Sequence, residues 1–229
     1  MRAIRPPQEL IDFARALESA GKSCYLVGGA VRDQLLGRPT SDFDLATDAR
    51  PEEVMRVFRR VVPTGIRHGT VTVHYKGLEL EVTTFRTEAG YADGRHPDKV
   101  EFASSIEADL SRRDFTINAI AYDLLTRRLV DPHEGREDLG RRLIRAVGDP
   151  LERFGEDGLR PLRALRFAAQ LGFRVEAATL AAIRPSIGRF RMVSPERVRD
   201  ELSKMLLSPR PSIGLRLLEE TGLLGEISP

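Results

Sequence analysis

Leu26-Val27-Gly28-Gly29-Ala30-Val31-Arg32-Asp33, followed nine residues later by Asp42-Phe43-Asp44, decides how the N-terminal part of this chain folds. An apolar strand runs into a glycine pair and a helix begins behind it. Such a junction bares backbone N–H groups at the positive end of a helix, a place that suits a phosphate. Residues 41–47 read as a second short strand, on which Asp42 and Asp44, at i and i+2, share a face. Two carboxylates so placed can hold a hard divalent cation, and a nucleoside triphosphate with magnesium satisfies both halves. Singly, Gly-Gly is most often a turn and Asp-x-Asp a solvated strand edge. Their order and closeness favour a nucleotide site.

Working outward, Leu10, Ile11, Phe13, Ala14 and Leu17 recur at helical spacing over residues 8–20. Residues 23–27 form the strand before the glycine turn, and residues 30–36 a helix closed by Gly37 with Pro39 beyond. Asp48 is placed to cap a helix beginning near Pro51. Residues 70–75 and 78–85 read as strands of a hairpin turning at Lys76-Gly77. This part is α/β, its strands gathered in one sheet. The polar stretch 86–99, with Gly90, Gly94 and Pro97, reads as a mobile loop of the kind that makes a substrate lid. Past Asp149 the strand signals nearly vanish, and residues 159–171, 177–187, 195–207 and 212–222 read as amphipathic helices. The division expected is a domain over 1–148 and a helical one over 149–229.

Of the 229 residues, 41% are hydrophobic and 31% charged, enough for a real core under a well-solvated surface and unlike a disordered chain. No apolar run approaches a bilayer-spanning length, and the first residues lack a signal-peptide apolar region. The single cysteine, Cys24, lies in an apolar strand where a buried thiol is the default. The cytoplasm is the compartment expected. A net charge of +2 does not announce a nucleic-acid binder, but 32 arginines stand against four lysines. Arginine's planar fork suits phosphates and base edges, and genomic base composition produces the same bias. The four histidines show no metal-ligand spacing, which argues against a zinc site.

Three further constellations carry chemistry. Glu81, with Glu79 on the same strand face, offers a third carboxylate beside Asp42 and Asp44 for two-metal phosphoryl transfer; the bland alternative is a strand-surface glutamate. In Arg112-Arg113-Asp114-Phe115-Thr116-Ile117-Asn118, Arg113 can clamp a triphosphate oxygen, Asp114 can orient that arginine, and Asn118 can reach a ribose hydroxyl. The same string could equally be a charged helix start capped by Asp114. Asp157, Arg160 and Arg163 fall at spacings of three, so on one helix they share a face and can present a donor–acceptor edge to a nucleobase. Such residues more commonly form surface salt bridges. Pro161 is tolerated in the first turn. Apolar residues in Leu223-Leu224-Gly225-Glu226-Ile227 suggest a truncated polypeptide or a surface covered by a partner, a frayed tail being the dull alternative.

Taken together and in order, Gly28-Gly29-Ala30-Val31-Arg32-Asp33, Asp42-Phe43-Asp44, Glu81-Val82-Thr83-Thr84-Phe85-Arg86, the Arg112–Ala119 string and Glu156-Asp157-x-x-Arg160 resemble the class II tRNA nucleotidyltransferases and their relatives, the bacterial poly(A) polymerases. The resemblance spans residues 22–225. It implies an α+β nucleotidyltransferase (polymerase-beta-like) head, a mixed sheet with flanking helices, followed by a small all-helical neck. The function implied is template-independent addition of CTP- and ATP-derived nucleotides to the tRNA 3′ end. That covers CCA addition or a partial CC- or A-adding version, with a poly(A) polymerase as the alternative. The segment Gly65-Ile66-Arg67-His68-Gly69 resembles the tRNA-directed members somewhat more. A non-catalytic RNA-binding relative predicts a damaged carboxylate set, and an antibiotic-modifying enzyme leaves the base-reading helix unexplained.

By the resemblance, Asp42 and Asp44 bind Mg2+ with Glu81 in support, and Gly28, Gly29, Arg32 and Asp33 handle the triphosphate. Arg113, Asp114 and Asn118 hold nucleotide phosphate and sugar. Asp157 and Arg160 read the base edge, with Arg163 supporting them or contacting phosphate. The loop 86–99 corresponds to the family's flexible loop, implicated in the switch from CTP to ATP. Family members continue into body and tail domains that grip tRNA, so weak intrinsic tRNA grip is expected of this chain. No motif addresses its oligomeric state.

Overall fold

The computed structural model describes residues 1–89 and 99–227. The chain divides into two compact units, Met1–Glu88 with Val100–Arg113 and Ile117–Arg136, and Ala89–Lys99 with Asp114–Thr116 and Glu137–Pro229. The expected boundary at 148 falls inside the second unit. A pairing distant in sequence draws the chain over early: β10 (Leu143–Ile144) lies parallel to β11 (Arg174–Val175).

The first unit begins with α1 (Gln8–Ser19), β1 (Cys24–Val27), α2 (Gly29–Leu36), β2 (Phe43–Thr47) and α3 (Pro51–Val57). There follow β3 (Val61–Gly65), β4 (Thr70–Tyr75), β5 (Leu78–Thr84), the paired strands β6 (Arg86–Ala89) and β7 (Lys99–Phe102), and α4 (Ile106–Ser111). Strands β8 (Ala121–Asp123) and β9 (Leu129–Val130) complete it. Seven strands form one sheet in the order β3-β4-β5-β2-β1-β8-β9. It is mixed: β2 and β5 run parallel and the other neighbours antiparallel. The hairpin turns at Lys76 and Gly77, both at positive φ. Of the stretch 86–99 expected to be a mobile loop, residues 86–89 and Lys99 belong instead to the paired strands β6 and β7, and residues 90–98 lie outside the described residues.

Alternation decides which side of the sheet is buried. Leu26, Leu45, Val71, Val73, Leu80 and Val82 are nearly inaccessible to solvent. The apolar stripe of α1 adds Leu10, Phe13 and Leu17, with Phe13 stacked on Phe58 at 4.1 Å between ring centroids. Full burial of such a side chain stabilises the fold by about 1.5–3 kcal/mol. Cys24 is buried as expected, and loss of solvation raises its pKa, so the thiol stays protonated.

Two local expectations change. Asp48 does not cap α3; it accepts hydrogen bonds from the Ser23 N–H (2.7 Å) and hydroxyl (3.0 Å), while Glu53 reaches back to the Arg50 N–H. Strand β3 carries no alternation and contains Pro63, which its place at the sheet edge tolerates.

Helix α5 (Gly135–Arg141) leads into the second unit, which then holds α6 (Pro150–Glu156), α7 (Arg160–Leu171), α8 (Ala177–Ala181), α9 (Ile187–Phe190), α10 (Pro195–Leu206), α11 (Pro211–Thr221) and α12 (Leu224–Ile227). The expected helix over 177–187 breaks instead into α8 and a 3-10 turn, Arg184–Ser186, before α9. Pro185 has no backbone N–H with which to continue the α-helical ladder. Helix α7 is the centre of this unit, packed by α10 and α11. The strap Asp114–Thr116 joins it by an antiparallel bridge, Phe115 to Ala146, with the Phe115 ring edge-on to Phe167 at 5.8 Å. Among the described residues no helix is long and apolar enough to cross a membrane.

Candidate active site

The carboxylates are set by sheet register. Val27, the last residue of β1, is the partner of Asp44 on β2, and Asp44 is in turn the partner of Glu81 on β5. The strand therefore delivers Asp44 beside the glycine turn on one side and beside Glu81 on the other. Partial burial raises the pKa of Asp44; Arg113 pulls it down and Asp42 adds to the rise. Burial likewise raises Glu81, with the Asp44 charge adding and Arg86 opposing.

Asp42 stands one residue before β2, outside the ladder, with the Ser41 hydroxyl donating to it at 3.2 Å. Among the described residues no three acidic, histidine or cysteine side chains converge closely enough to hold one ion. Magnesium is commonly held by one or two carboxylates together with substrate phosphates and water, so hard oxygen donors crowded by like charge fit such a cation.

Gly28 starts the phosphate-handling half. Its φ of +68° is left-handed backbone, and a Cβ there would meet Arg113 Nη1 at 2.9 Å and Asp44 Oδ2 at 3.7 Å. The turn is therefore glycine both for its conformation and for the guanidinium lying across it. Arg113 donates from Nη2 to Asp109 at 3.1 Å, while its Nε is buried without a hydrogen-bond partner among the described residues. An orphaned cationic donor of this kind is one an oxyanion would satisfy. Gly28→Ala is expected to lower the melting temperature through a strain of about 1–2 kcal/mol and to weaken triphosphate binding by displacing Arg113. Thermal melts and equilibrium nucleotide binding check both.

Arg32 is only 5% exposed. Its guanidinium grips both oxygens of Asp33 (2.9 and 2.8 Å) and donates to Asn118 Oδ1 at 2.7 Å. The structure thus brings Arg32, Asp33 and Asn118 into one network behind Gly29, whose Cβ position lies 3.5 Å from Arg32 Nη2.

Asp114 is not the partner that orients Arg113. That role falls to Asp109, which is inaccessible to solvent and accepts from both Arg112 (3.1 and 2.7 Å) and Arg113. Burial raises the pKa of Asp109, but the two guanidinium groups outweigh it and the net shift is downward. The signal was present in the spacing, since Asp109 precedes the two arginines by three and four residues near the end of a helix. Asp114 instead accepts from Arg163 at 2.9 and 2.6 Å and from the Phe115 N–H.

In the second unit, Asp157 and Arg160 do not share a helix. Asp157 ends α6, accepting from the Leu159 N–H (3.0 Å) through one oxygen and from Arg197 (2.8 Å) through the other. Gly158 and Leu159 intervene before α7, so spacing on a single helix does not apply. Arg160 donates to the Arg153 carbonyl at 2.8 Å and pairs with Glu156. Arg163 pairs with Asp114 and lies 3.6 Å from Glu201; Arg166 binds Glu201 at 2.5 Å and stacks over Phe167. Glu201 is only 4% exposed and was not legible as a member of this group.

Comparison with known proteins agrees with this architecture. Residues 24–145 match the Poly A polymerase head domain, and residues 172–229 match a family described as a probable RNA and SrmB-binding site of polymerase A. The CCA-adding enzyme of Pediococcus pentosaceus is 49% identical over 221 residues, covering 95% of this chain and 55% of that one. A crystal structure of the Bacillus stearothermophilus CCA-adding enzyme in complex with CTP superimposes with a TM-score of 0.88 at 46% identity, over 96% of this chain and 53% of that one. A tRNA nucleotidyltransferase complexed with a primer tRNA and an incoming ATP analog gives 0.80 at 32% identity, over 94% and 62%. The chain spans about half the length of the curated relatives it matches. With its mixed sheet, glycine turn and Asp44–Glu81 register in common with the motifs that first suggested it, the chain belongs to the nucleotidyltransferase family that unites the Poly A polymerase head domain with the CCA-adding enzymes.

Proposed function

We propose that this chain transfers nucleotides from CTP and ATP to the 3′ end of tRNA without a nucleic-acid template. The observation that carries the reading is Arg113, lying across the Gly28 turn with a buried, unpartnered Nε, beside the Asp44–Glu81 pair. A cation for phosphate oxygens and carboxylates for a metal then stand at one strand end. The near relatives named CCA-adding enzymes, and those whose structures hold CTP or a primer tRNA, support the substrate class.

In this reading Asp42 and Asp44 hold Mg2+ with Glu81 in support. The bound ion would lower the pKa of the 3′-hydroxyl and offset charge on the triphosphate. Gly28, Gly29 and Arg113 receive the triphosphate oxygens, and Arg32, Asp33 and Asn118 keep the turn and the sugar contact in place. The 3′-oxygen forms the new bond to the α-phosphorus as the bond to the β-phosphate oxygen breaks, and pyrophosphate leaves. Positioning and charge neutralisation are what such a transfer demands. Residues 1–148 then act as the catalytic head and 149–229 as the neck. Asp157 and Arg160 read the base edge, and Arg163, through Asp114, ties the strap to α7.

Extension of tRNAs ending before CCA, after C and after CC, with each labelled NTP, tests this. Ordered C, C, A addition supports it, addition of C alone or A alone identifies a partial version, and long A tails turn it toward a poly(A) polymerase. Failure to incorporate any nucleotide, in the presence of magnesium and with the chain folded, would sink the reading. Arg160→Ala is expected to relax CTP/ATP selectivity by about ten- to a hundredfold, the worth of one charge-assisted hydrogen bond. Equal weakening for every nucleotide would make Arg160 a structural residue.

A further inference from the structure

A cavity in the first unit, about 540 Å³, lies where the N-terminal segment crosses the end of α2. Arg2, Arg5 and Arg38 line it, Phe43 forms an aromatic part of its wall, and among the described residues no acidic side chain does. The segment is pinned there, since the Arg2 N–H donates to the Leu35 carbonyl at 2.9 Å and the Arg5 N–H to Gln34 Oε1 at 2.8 Å. Arg2 runs across Gly37, where any Cβ would come within 2.5 Å of its Cδ and Nε. The Thr40 hydroxyl oxygen, on the same wall, is buried without a hydrogen-bond partner.

The negative end of α2 explains one cation here, being worth about half a charge. It does not explain why neither the Arg2 nor the Arg5 guanidinium has a carboxylate partner among the described residues. Two such guanidinium groups, Arg2 and Arg5, on a concave wall with an aromatic ring and an orphaned hydroxyl match a phosphate-bearing ligand of nucleotide size. Phe43 belongs to β2 and alternates with Asp44, so this cavity and the carboxylates meet opposite faces of one strand.

We propose that this cavity is a second anion site, outside the catalytic constellation, that binds the phosphate of one nucleotide unit. The unit comes either from an RNA strand or from a free nucleotide, and both present anionic phosphate oxygens beside a planar base. The site stands independently of the catalytic reading, because its readout needs no turnover.

The test follows modification of Arg2 and Arg5 by p-hydroxyphenylglyoxal, read by peptide mass spectrometry on the whole chain in EDTA, with CTP or a 12-nucleotide single-stranded RNA as probe. At ten times its dissociation constant the bound probe is expected to slow both arginines about tenfold by mass action, while the exposed Arg216 keeps its rate. Protection by CTP assigns a free nucleotide; protection by RNA alone assigns a strand. Arg2→Glu/Arg5→Glu, melting as the wild type does and read by protection of Arg38 on the same wall, is expected to weaken the protecting probe at least about tenfold. For RNA it should also flatten the salt dependence by about 0.7 in log–log slope, the share of one phosphate. Unchanged modification rates with both probes at millimolar concentration would overturn the proposal, as would wild-type affinity in the double variant.

Discussion

Asp44→Ala is expected to abolish nucleotide incorporation, by about a thousandfold or more, while leaving the chain folded. Asp44 sits in register with both the glycine turn and Glu81, so no neighbour can replace its carboxylate. The same geometry predicts an effect on stability of the opposite sign. Asp44 and Glu81 have folded-state pKa values above their unfolded values, so the folded chain binds protons more readily than the unfolded one. Their effect therefore favours the fold at acid pH, and that advantage is lost as pH rises through the folded values. Asp44→Asn removes the repulsion, and without metal at neutral pH it is expected to melt slightly above the wild type while remaining inactive. Added magnesium should raise the melting temperature of the wild type more than that of the variant. A variant that incorporates nucleotides at the wild-type rate would remove Asp44 from the catalytic set.

The largest loss of stability is expected from Asp109→Ala. The substitution leaves the Arg112 and Arg113 guanidinium groups without the buried carboxylate that both of them use. Removing one partner of a buried charge network costs about 3–5 kcal/mol, because the remaining charges keep their desolvation penalty. Chemical denaturation reads that loss directly. Arg113 also loses the anchor that holds it over Gly28, so nucleotide affinity should fall with stability. Asp109→Asn keeps the shape and one acceptor and should fall between the two. The folded-state pKa of Asp109 is depressed, so its contribution is present above the ordinary carboxylate range and is lost as pH falls through the folded value. If Asp109→Ala melts like the wild type, Arg113 is positioned by something else.

Much of the fold was legible because its signals are local. The period of α1, the glycine turn, the hairpin at Lys76-Gly77 and helices α7, α10 and α11 were placed within a residue or two of where they lie. Each is decided by neighbours a few positions apart, through side-chain periodicity or a backbone that only certain residues adopt. Expectations failed where one residue's local preference was overruled. Asp48 found a donor pair at Ser23 rather than a helix to cap, and Pro185 divided a stretch whose apolar spacing alone suggests one helix.

The candidate site divides along the same line. Sequence order alone singled out Gly28, Asp42, Asp44, Glu81, Arg113 and Arg160 as candidates and tied them to one family. Which acid serves which arginine was another matter. Arg32 meets Asn118 across 86 positions and Arg163 meets Asp114 across 49, pairings that exist only once the chain is folded. Asp109 takes Arg113, Asp114 takes Arg163, and Glu156 takes Arg160, whereas the string itself makes Asp114 the nearest acid to Arg113. A carboxylate and a guanidinium find each other according to which side chains are buried together. In a chain with 32 arginines, proximity in sequence leaves many equivalent choices. Desolvation removes that degeneracy, because a buried charge left without its partner costs more than any local preference gains.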